Sequence, residues 1–241
     1  RRQRQMCIRD SIYIKYLCSF IVTLVIALLL SLQPDIGQTL LVFFSWSVLI
    51  FTSGVSIFLL FFLFSSIILI FFYLIFFVSK FTYIKNRLIS FLDSETGTYN
   101  FQSDKALESI TSGGFFGKGI GEGTLKNRVP EAHTDYIISV ISEEFGVIAI
   151  ILIFLLFLVF IYSVFKKVNF ENDETIKLIL VGSVSLILMQ TIIHIGVNIR
   201  LFPTTGMTLP FISYGGSSII SISILSGIIL NFTKRNLNQN E

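Results

Sequence analysis

The chain predicts an all-α polytopic membrane protein: a bundle of about six transmembrane helices carrying one large extracytoplasmic loop. Three observations carry that prediction. Mean hydropathy is +0.80, with 53% hydrophobic and 14% charged residues; a soluble domain carries about a quarter charged residues, and so few cannot cover a water-soluble surface. Six apolar runs lie at about 12–33, 36–54, 55–79, 136–165, 178–198 and 210–232. Polar residues gather in two islands, 102–146 and 198–210.

Each run has about 18–30 residues, enough for a helix to cross roughly 30 Å of hydrocarbon. Helices are required because the bilayer offers no water to satisfy the backbone, and no period-two alternation of an outer-membrane barrel occurs. Orientation follows from Lys and Arg. Arg1, Arg2, Arg4, Arg9 and Lys15 lead the chain, Lys166, Lys167 and Lys177 follow the fourth run, and Lys234 and Arg235 close it. These positions predict cytoplasmic termini, with the Pro34-Asp35 corner, the 80–135 loop and the 198–210 island outside. Lys80, Lys85 and Arg87 run against the rule, but long loops weigh little in it. Residues 1–11 lack periodicity and read as a lead or truncation scar, and 12–241 as the transmembrane domain. Cys7 and Cys18 form neither a disulfide framework nor a metal-ligand pattern. The net charge of +3 suits anionic lipid or phosphate-bearing substrates and gives no basis for a nucleic-acid partner.

A loop of roughly 55 residues without a span is unusual unless functional. Within it, 104–110 has the pattern of a short surface helix. Gly113, Gly114, Gly117, Gly119, Gly121 and Gly123 then permit tight turns and close backbone approach. The run matches neither the dinucleotide nor the Walker spacing. It reads either as a flexible loop or as a backbone cradle in which Lys118, Lys126 and Arg128 bring charge to a phosphate. Asp135 precedes the fourth run and has two readings. As a helix N-cap it would accept the first free N–H groups. As a general base it needs burial or a neighbouring carboxylate to raise its pKa, which Glu131, Glu143 and Glu144 are placed to supply. Carboxylates at a membrane boundary are costly and point to function. His133 reads as a hydrogen-bonding neighbour and His194 as a helix-packing polar group; the two make no zinc motif. Pro203, Gly206 and Pro210 break the backbone ahead of Ser213-Tyr214-Gly215-Gly216-Ser217-Ser218. That stretch reads either as close helix packing by small residues or as a broken helix end whose N–H groups face a cavity.

Four motifs, in order and each at a span boundary, resemble the SEDS family (shape, elongation, division and sporulation): Gln33-Pro-Asp-Ile-Gly37, the glycine-rich stretch ending Pro130-Glu-Ala-His-Thr-Asp-Tyr136, Glu143-Glu-Phe-Gly146, and Pro203–Ser218. The wording of Gly121–Lys126 and Gly206–Pro210 is similar to the cell-division branch rather than the elongation branch. The resemblance covers the chain from about residue 12 and implies the last six of ten spans, an N-terminally truncated chain. It departs at His194, where the family usually has Asn, and near Leu92-Asp93-Ser94, which lacks the usual Pro.

The resemblance implies a bacterial inner-membrane glycosyltransferase at the division septum, polymerising lipid II into peptidoglycan strands with undecaprenyl pyrophosphate as leaving group. Asp135 would be the catalytic base, with Glu131, His133, Thr134, Glu143 and Glu144 in support. Lys118, Lys126, Arg128, Gln102, Gly119, Gly121, Ser213, Tyr214, Gly215, Gly216 and Ser217 would contact substrate. No cofactor is expected to be tightly bound; Mg²⁺ or another divalent cation would be shared with the substrate pyrophosphate. The implied partners are lipid II, the lipid bilayer, a class B penicillin-binding protein (the cross-linking transpeptidase) and other division-complex proteins. An elongation-type polymerase, a lipid II flippase and a recruiting scaffold are the competing readings.

Overall fold

The computed structural model describes residues 2–33, 35–92, 101–124 and 129–235. All regular structure among them is helical: α1 Arg2–Leu32, α2 Ile36–Thr52, α3 Ile57–Phe77, a 3₁₀ turn Ser79–Phe81, α4 Thr82–Leu92, α5 Phe101–Gly113, α6 Ile137–Phe145, α7 Val147–Val168, α8 Glu174–Asn198 and α9 Gly216–Arg235. Ile14–Leu32, α7, α8 and Gly216–Lys234 are long and apolar enough to cross a membrane. α2 is 17 residues long, and α3 is 21 residues without a charge.

α8 is the axis of the bundle. Its residues Leu180, Ile187, Thr191 and Asn198 are fully buried, and α2, α7 and α9 pack along it while α1 packs along α2. α2 approaches closely because Gly182 has no side chain: a Cβ there would lie 3.0 Å from Leu49 Cδ2. The main core joins Phe157, Ile161 and Val164 of α7 to Leu180, Val184 and Ile187 of α8 and Ile222 of α9. On α1 and α2, Trp46 donates from Nε1 to Ser19 Oγ at 2.9 Å, satisfying the one polar atom of a buried indole. Hydroxyls within the helices bond back to their own turns, as Ser45 to Leu41 O, Thr191 to Ile187 O and Thr233 to Ile229 O do, so they add no unpaired donor.

Two of the six expected spans are corrected. The run 136–165 is not one helix. Gly146, at φ 81° and ψ 176°, breaks it into the nine-residue α6 and the spanning α7. That conformation is essentially reserved to glycine. The last span begins at Gly216 rather than 210, because residues 199–215 form an irregular segment that turns back beside α8.

Residues 203–208 of that segment make no backbone–backbone hydrogen bonds among the described residues, so their carbonyls need other donors. One face of α8 supplies them. His194 Nδ1 lies 2.7 Å from Met207 O and Gln190 Nε2 donates to Thr208 O at 2.8 Å, while Asn198, one turn above, donates instead to Asp135 O in the turn before α6. Gly37, in the first turn of α2, lets the segment sit close: a Cβ there would fall 2.7 Å from Met207 Cγ and 2.9 Å from Thr205 Cβ.

Candidate active site

The polar island that follows α5 is built as a tight turn on α6. The Glu131 carbonyl accepts N–H groups from Thr134, Asp135 and Tyr136 at 3.1–3.3 Å, which holds Glu131 at φ 55°, an unusual conformation for a residue with a Cβ. Thr134 Oγ1 donates to the Glu131 carboxylate at 2.9 Å. Three outside contacts fix the turn in space: Tyr214 N–H donates to His133 O at 3.0 Å, Ser213 Oγ donates to Thr134 O at 2.7 Å, and Asn198 Nδ2 donates to Asp135 O at 3.0 Å. Ala132, Tyr136 and Val129 bury beneath it against Leu41, Ile193 and Val197.

Asp135 is not the cap of α6. Tyr136 holds that position, and no side chain makes the cap hydrogen bond. The Asp135 carboxyl is instead half-buried and pushed above the ordinary aspartate value, first by burial and then by the negative charge of Glu131 and of Asp35. Only the Arg87 guanidinium pulls it back. Glu143 and Glu144 are not among the groups that shift it. Glu143 is fully buried on α6, where it accepts from Ser109 Oγ at 3.1 Å and lies 3.6 Å from Lys118 Nζ.

The glycine-rich loop does not form an open phosphate cradle. It closes the end of α6: Lys118 N–H donates to Glu143 O at 2.9 Å, Gly119 N–H to Glu144 O at 3.0 Å and Gly121 N–H to Glu144 Oε1 at 3.3 Å. The Lys118 and Gly119 donors are occupied by carbonyls that a helix terminus leaves free, that of Gly121 by the Glu144 carboxylate, and the Lys118 charge is turned toward Glu143. Lys126 and Arg128 lie outside the described residues.

Two openings flank Asp135. One, of about 680 Å³, is lined by Glu131, His133, Thr134, Glu144 and Tyr214, with Val129, Ala132 and Val140 as its floor. The other, of about 350 Å³, is a neutral polar groove between α2, α8 and α9, lined by Gln38, Gln190, Thr208, Ser217, Ser218 and Ser221 among others. Gly206 lines the groove, and its absent Cβ would lie 3.6 Å from Asp135 Oδ2. Of the residues expected to contact substrate, Tyr214 faces the first opening and Gly215 and Ser217 face the second, with Gly216 exposed at the start of α9. Ser213 is 4% exposed; it receives Leu209 N–H and pins the Asp135 turn, so its role is positional. Gln102 sits in the first turn of α5, outside both linings. Among the described residues no three His, Cys, Asp or Glu side chains converge to hold a metal ion.

Sequence reasoning passes over Arg87 and Asp35 as site residues. Arg87, on α4, donates from Nη1 to Thr204 O at 2.9 Å and stacks 4.4 Å over the Tyr83 ring. Asp35 caps α2 by accepting Gln38 N–H at 3.0 Å.

Comparison with known proteins decides the family. The FtsW/RodA/SpoVE family, described as cell cycle proteins, matches residues 2–238. The chain belongs to this family. Its relatives include probable peptidoglycan glycosyltransferases FtsW from Caulobacter vibrioides, 35% identical over 217 residues, which are 90% of this chain and 55% of the relative; from Enterococcus hirae, 37% identical over 62% of this chain and 37% of the relative; and from Wigglesworthia glossinidia brevipalpis, 36% identical over 89% of this chain and 57% of the relative. The chain thus spans about half the length of the curated relatives it matches. A chain from a structure of a peptidoglycan synthase complex, described as coordinating polymerization and crosslinking, superposes with a TM-score of 0.75 at 26% identity, over 91% of this chain and 62% of that one. Within the FtsW/RodA/SpoVE fold, the motifs read from the sequence fall on the first turn of α2, the Glu131–Tyr136 turn, the α6–α7 break and the irregular segment before α9.

Proposed function

We propose that this protein is a membrane glycosyltransferase that polymerises lipid II into peptidoglycan strands at the division septum, with Asp135 as general base. The observation that carries the proposal is Asp135 itself: a half-buried carboxyl with no capping role, at the mouth of the bundle, with its pKa raised by burial and by Glu131. In the reaction a sugar hydroxyl of the acceptor attacks the anomeric carbon of the donor. A new glycosidic C–O bond forms as the C–O bond to the diphosphate breaks. The hydroxyl proton passes to Asp135, and undecaprenyl pyrophosphate leaves with the electron pair. A diphosphate is a good leaving group, so one carboxylate suffices where many glycosidases use two.

The openings on either side of the base suit a reaction that must seat two lipid-linked sugars at once. The neutral groove of Gln38, Gln190 and Ser221 offers amides and hydroxyls to a sugar. An apolar pocket of about 230 Å³ between α2, α3 and α4, lined by Leu40, Phe43, Phe44, Phe64 and Ile67, suits part of a polyprenyl chain. Lys126 and Arg128 are assigned to the diphosphate, any divalent cation arrives with that diphosphate, and a class B penicillin-binding protein cross-links the product. Incubating the membrane-reconstituted protein with lipid II, then resolving glycan polymer on a gel, tests the proposal. Movement of lipid II across the bilayer without polymer would overturn it in favour of a flippase.

The electrostatics predict signed shifts in the acid limb of the rate profile. The base works ionised, so activity rises with pH through the Asp135 pKa, and the limb should lie above the ordinary aspartate range. Glu131→Gln removes a neighbouring negative charge and should move the limb to lower pH. Arg87→Gln removes the one opposing positive charge and should move it to higher pH, while Arg87→Lys should move it less. Coincident profiles for all three variants would refute the coupling.

The sidedness proposed for the bacterial inner membrane has the Asp135 turn outside. Cysteine labelling with an impermeant reagent applied from outside should mark Ser112→Cys on α5 and spare Ser163→Cys near the Lys166-Lys167 end of α7. The opposite pattern would invert the assignment.

A further inference from the structure

We infer that the tip of the glycine-rich loop, Phe115-Phe116 with Ile120, is a membrane wedge that seats the α5–α6 pair on the lipid surface beside α7. This rests on packing and depth and is independent of the enzymatic reading. The three side chains are 75%, 83% and 78% exposed, in a loop held at many points. Gly117 N–H donates to Gly113 O at 2.9 Å, Val147 N–H to Gly114 O at 3.0 Å and Ile148 N–H to Phe115 O at 3.4 Å. The missing Cβ of Gly146 leaves only 2.1 Å to Phe115 O. The apolar tip is therefore fixed to the first turn of a spanning helix.

The depth of that turn follows from α7. Its 22 residues rise about 33 Å at 1.5 Å each, close to the roughly 30 Å of bilayer hydrocarbon. Lys166 and Lys167 mark one end, so Val147 lies at the opposite hydrocarbon boundary. From there the exposed side chains Ile148, Ile151, Leu152 and Leu155 form a lipid-facing stripe, and the aromatic tip continues it at its upper edge. Lys118 and Glu122 flank the tip and are exposed, the polar border expected of a segment lying about 5–10 Å into the headgroup and acyl boundary. Continuity with the stripe favours lipid over a protein partner. A wedge at this point would hold α6, and through it the Asp135 turn, at a constant height above the hydrocarbon.

Electron paramagnetic resonance tests this on the chain reconstituted in lipid nanodiscs. With Cys7 and Cys18 replaced by Ser, nitroxide labels are placed singly by Phe116→Cys, Ile120→Cys, Ile151→Cys as the hydrocarbon reference, and Glu122→Cys as the aqueous reference. Relaxation by oxygen relative to a water-soluble nickel chelate should be several-fold higher at 116 or 120 than at 122, and approach the value at 151. The second tip position guards against local disturbance by either label. The proposal is overturned by any other result: both tip labels matching Glu122 would mean an aqueous tip, and shielding from both reagents would mean a protein-covered one.

Discussion

Asp135→Asn should yield a protein that folds, inserts and makes no glycan polymer. A positioned carboxylate acting as general base contributes about 10²–10⁴-fold, and Asn cannot take the proton. Asn would also cap a helix as well as Asp, so a variant that kept full activity would sink the base assignment, and with it the reading of this turn as the active site. The capping reading, which would predict retained activity, finds no support in the structure, because Asp135 caps nothing: the α6 cap position is Tyr136. The backbone contacts that hold the turn, Asn198 to Asp135 O and Ser213 to Thr134 O, survive the substitution.

The stability effect has a definite sign. A carboxyl whose pKa is raised in the folded state is favoured there in its neutral form. Its contribution is full below the ordinary aspartate pKa and is lost as pH rises through the raised value. At neutral pH Asp135 is therefore a group the fold tolerates at a cost, and Asp135→Asn, which is always neutral, should unfold no earlier than the parent. Loss of polymer together with an unchanged or higher unfolding temperature is the expected pair of results. Functional groups held against stability in this way are a common trade-off.

The sequence shows some parts of this arrangement and hides others for physical reasons. Spans are visible wherever an apolar run is bounded by charge, as with α8 between Asp173-Glu174 and Arg200. The break at Gly146 is hidden because apolar residues continue on both sides of it, and only the Glu143-Glu144 pair ahead of the glycine hints that α6 does not cross the bilayer. The irregular segment before α9 is announced by Pro203, Gly206 and Pro210. Its supports, Gln190 and His194, are announced less loudly; with Asn198, which holds the Asp135 turn, they are three polar residues at four-residue spacing on one face of an apolar helix. Asp135 and Glu131 share a turn and can be paired by eye. Arg87 and Asp35 cannot, since each reaches the site only through tertiary packing; the one signal for Arg87 is that it defies the orientation rule. The glycine run is legible as tight backbone, but its partner is not. The carbonyls it serves belong to the end of α6, far along the chain.

That partner makes Gly146→Ala a strongly damaging small substitution. Gly146 joins α6 to α7 at φ 81° and ψ 176°, where any residue with a Cβ incurs strain of about 1–3 kcal/mol. The added methyl would also fall 2.1 Å from Phe115 O and 2.6 Å from Gly117 N. These are backbone atoms of a loop already tied to Glu143 and Glu144, so relief requires the loop to move off α6. Overpacking of this kind adds about 1–3 kcal/mol, a large part of a typical net stability. Gly54→Ala separates the two costs, because Gly54 has a similar φ of +86° with nothing within 4 Å of the new methyl. Gly54→Ala should lower the unfolding temperature modestly and leave hydrogen exchange across 101–124 unchanged. Gly146→Ala should lower it further and release the amides of Lys118 and Gly119, which donate to Glu143 O and Glu144 O, to fast exchange. Equal effects of the two variants would mean that the loop yields freely, and that it does not brace the helix beneath the Asp135 turn.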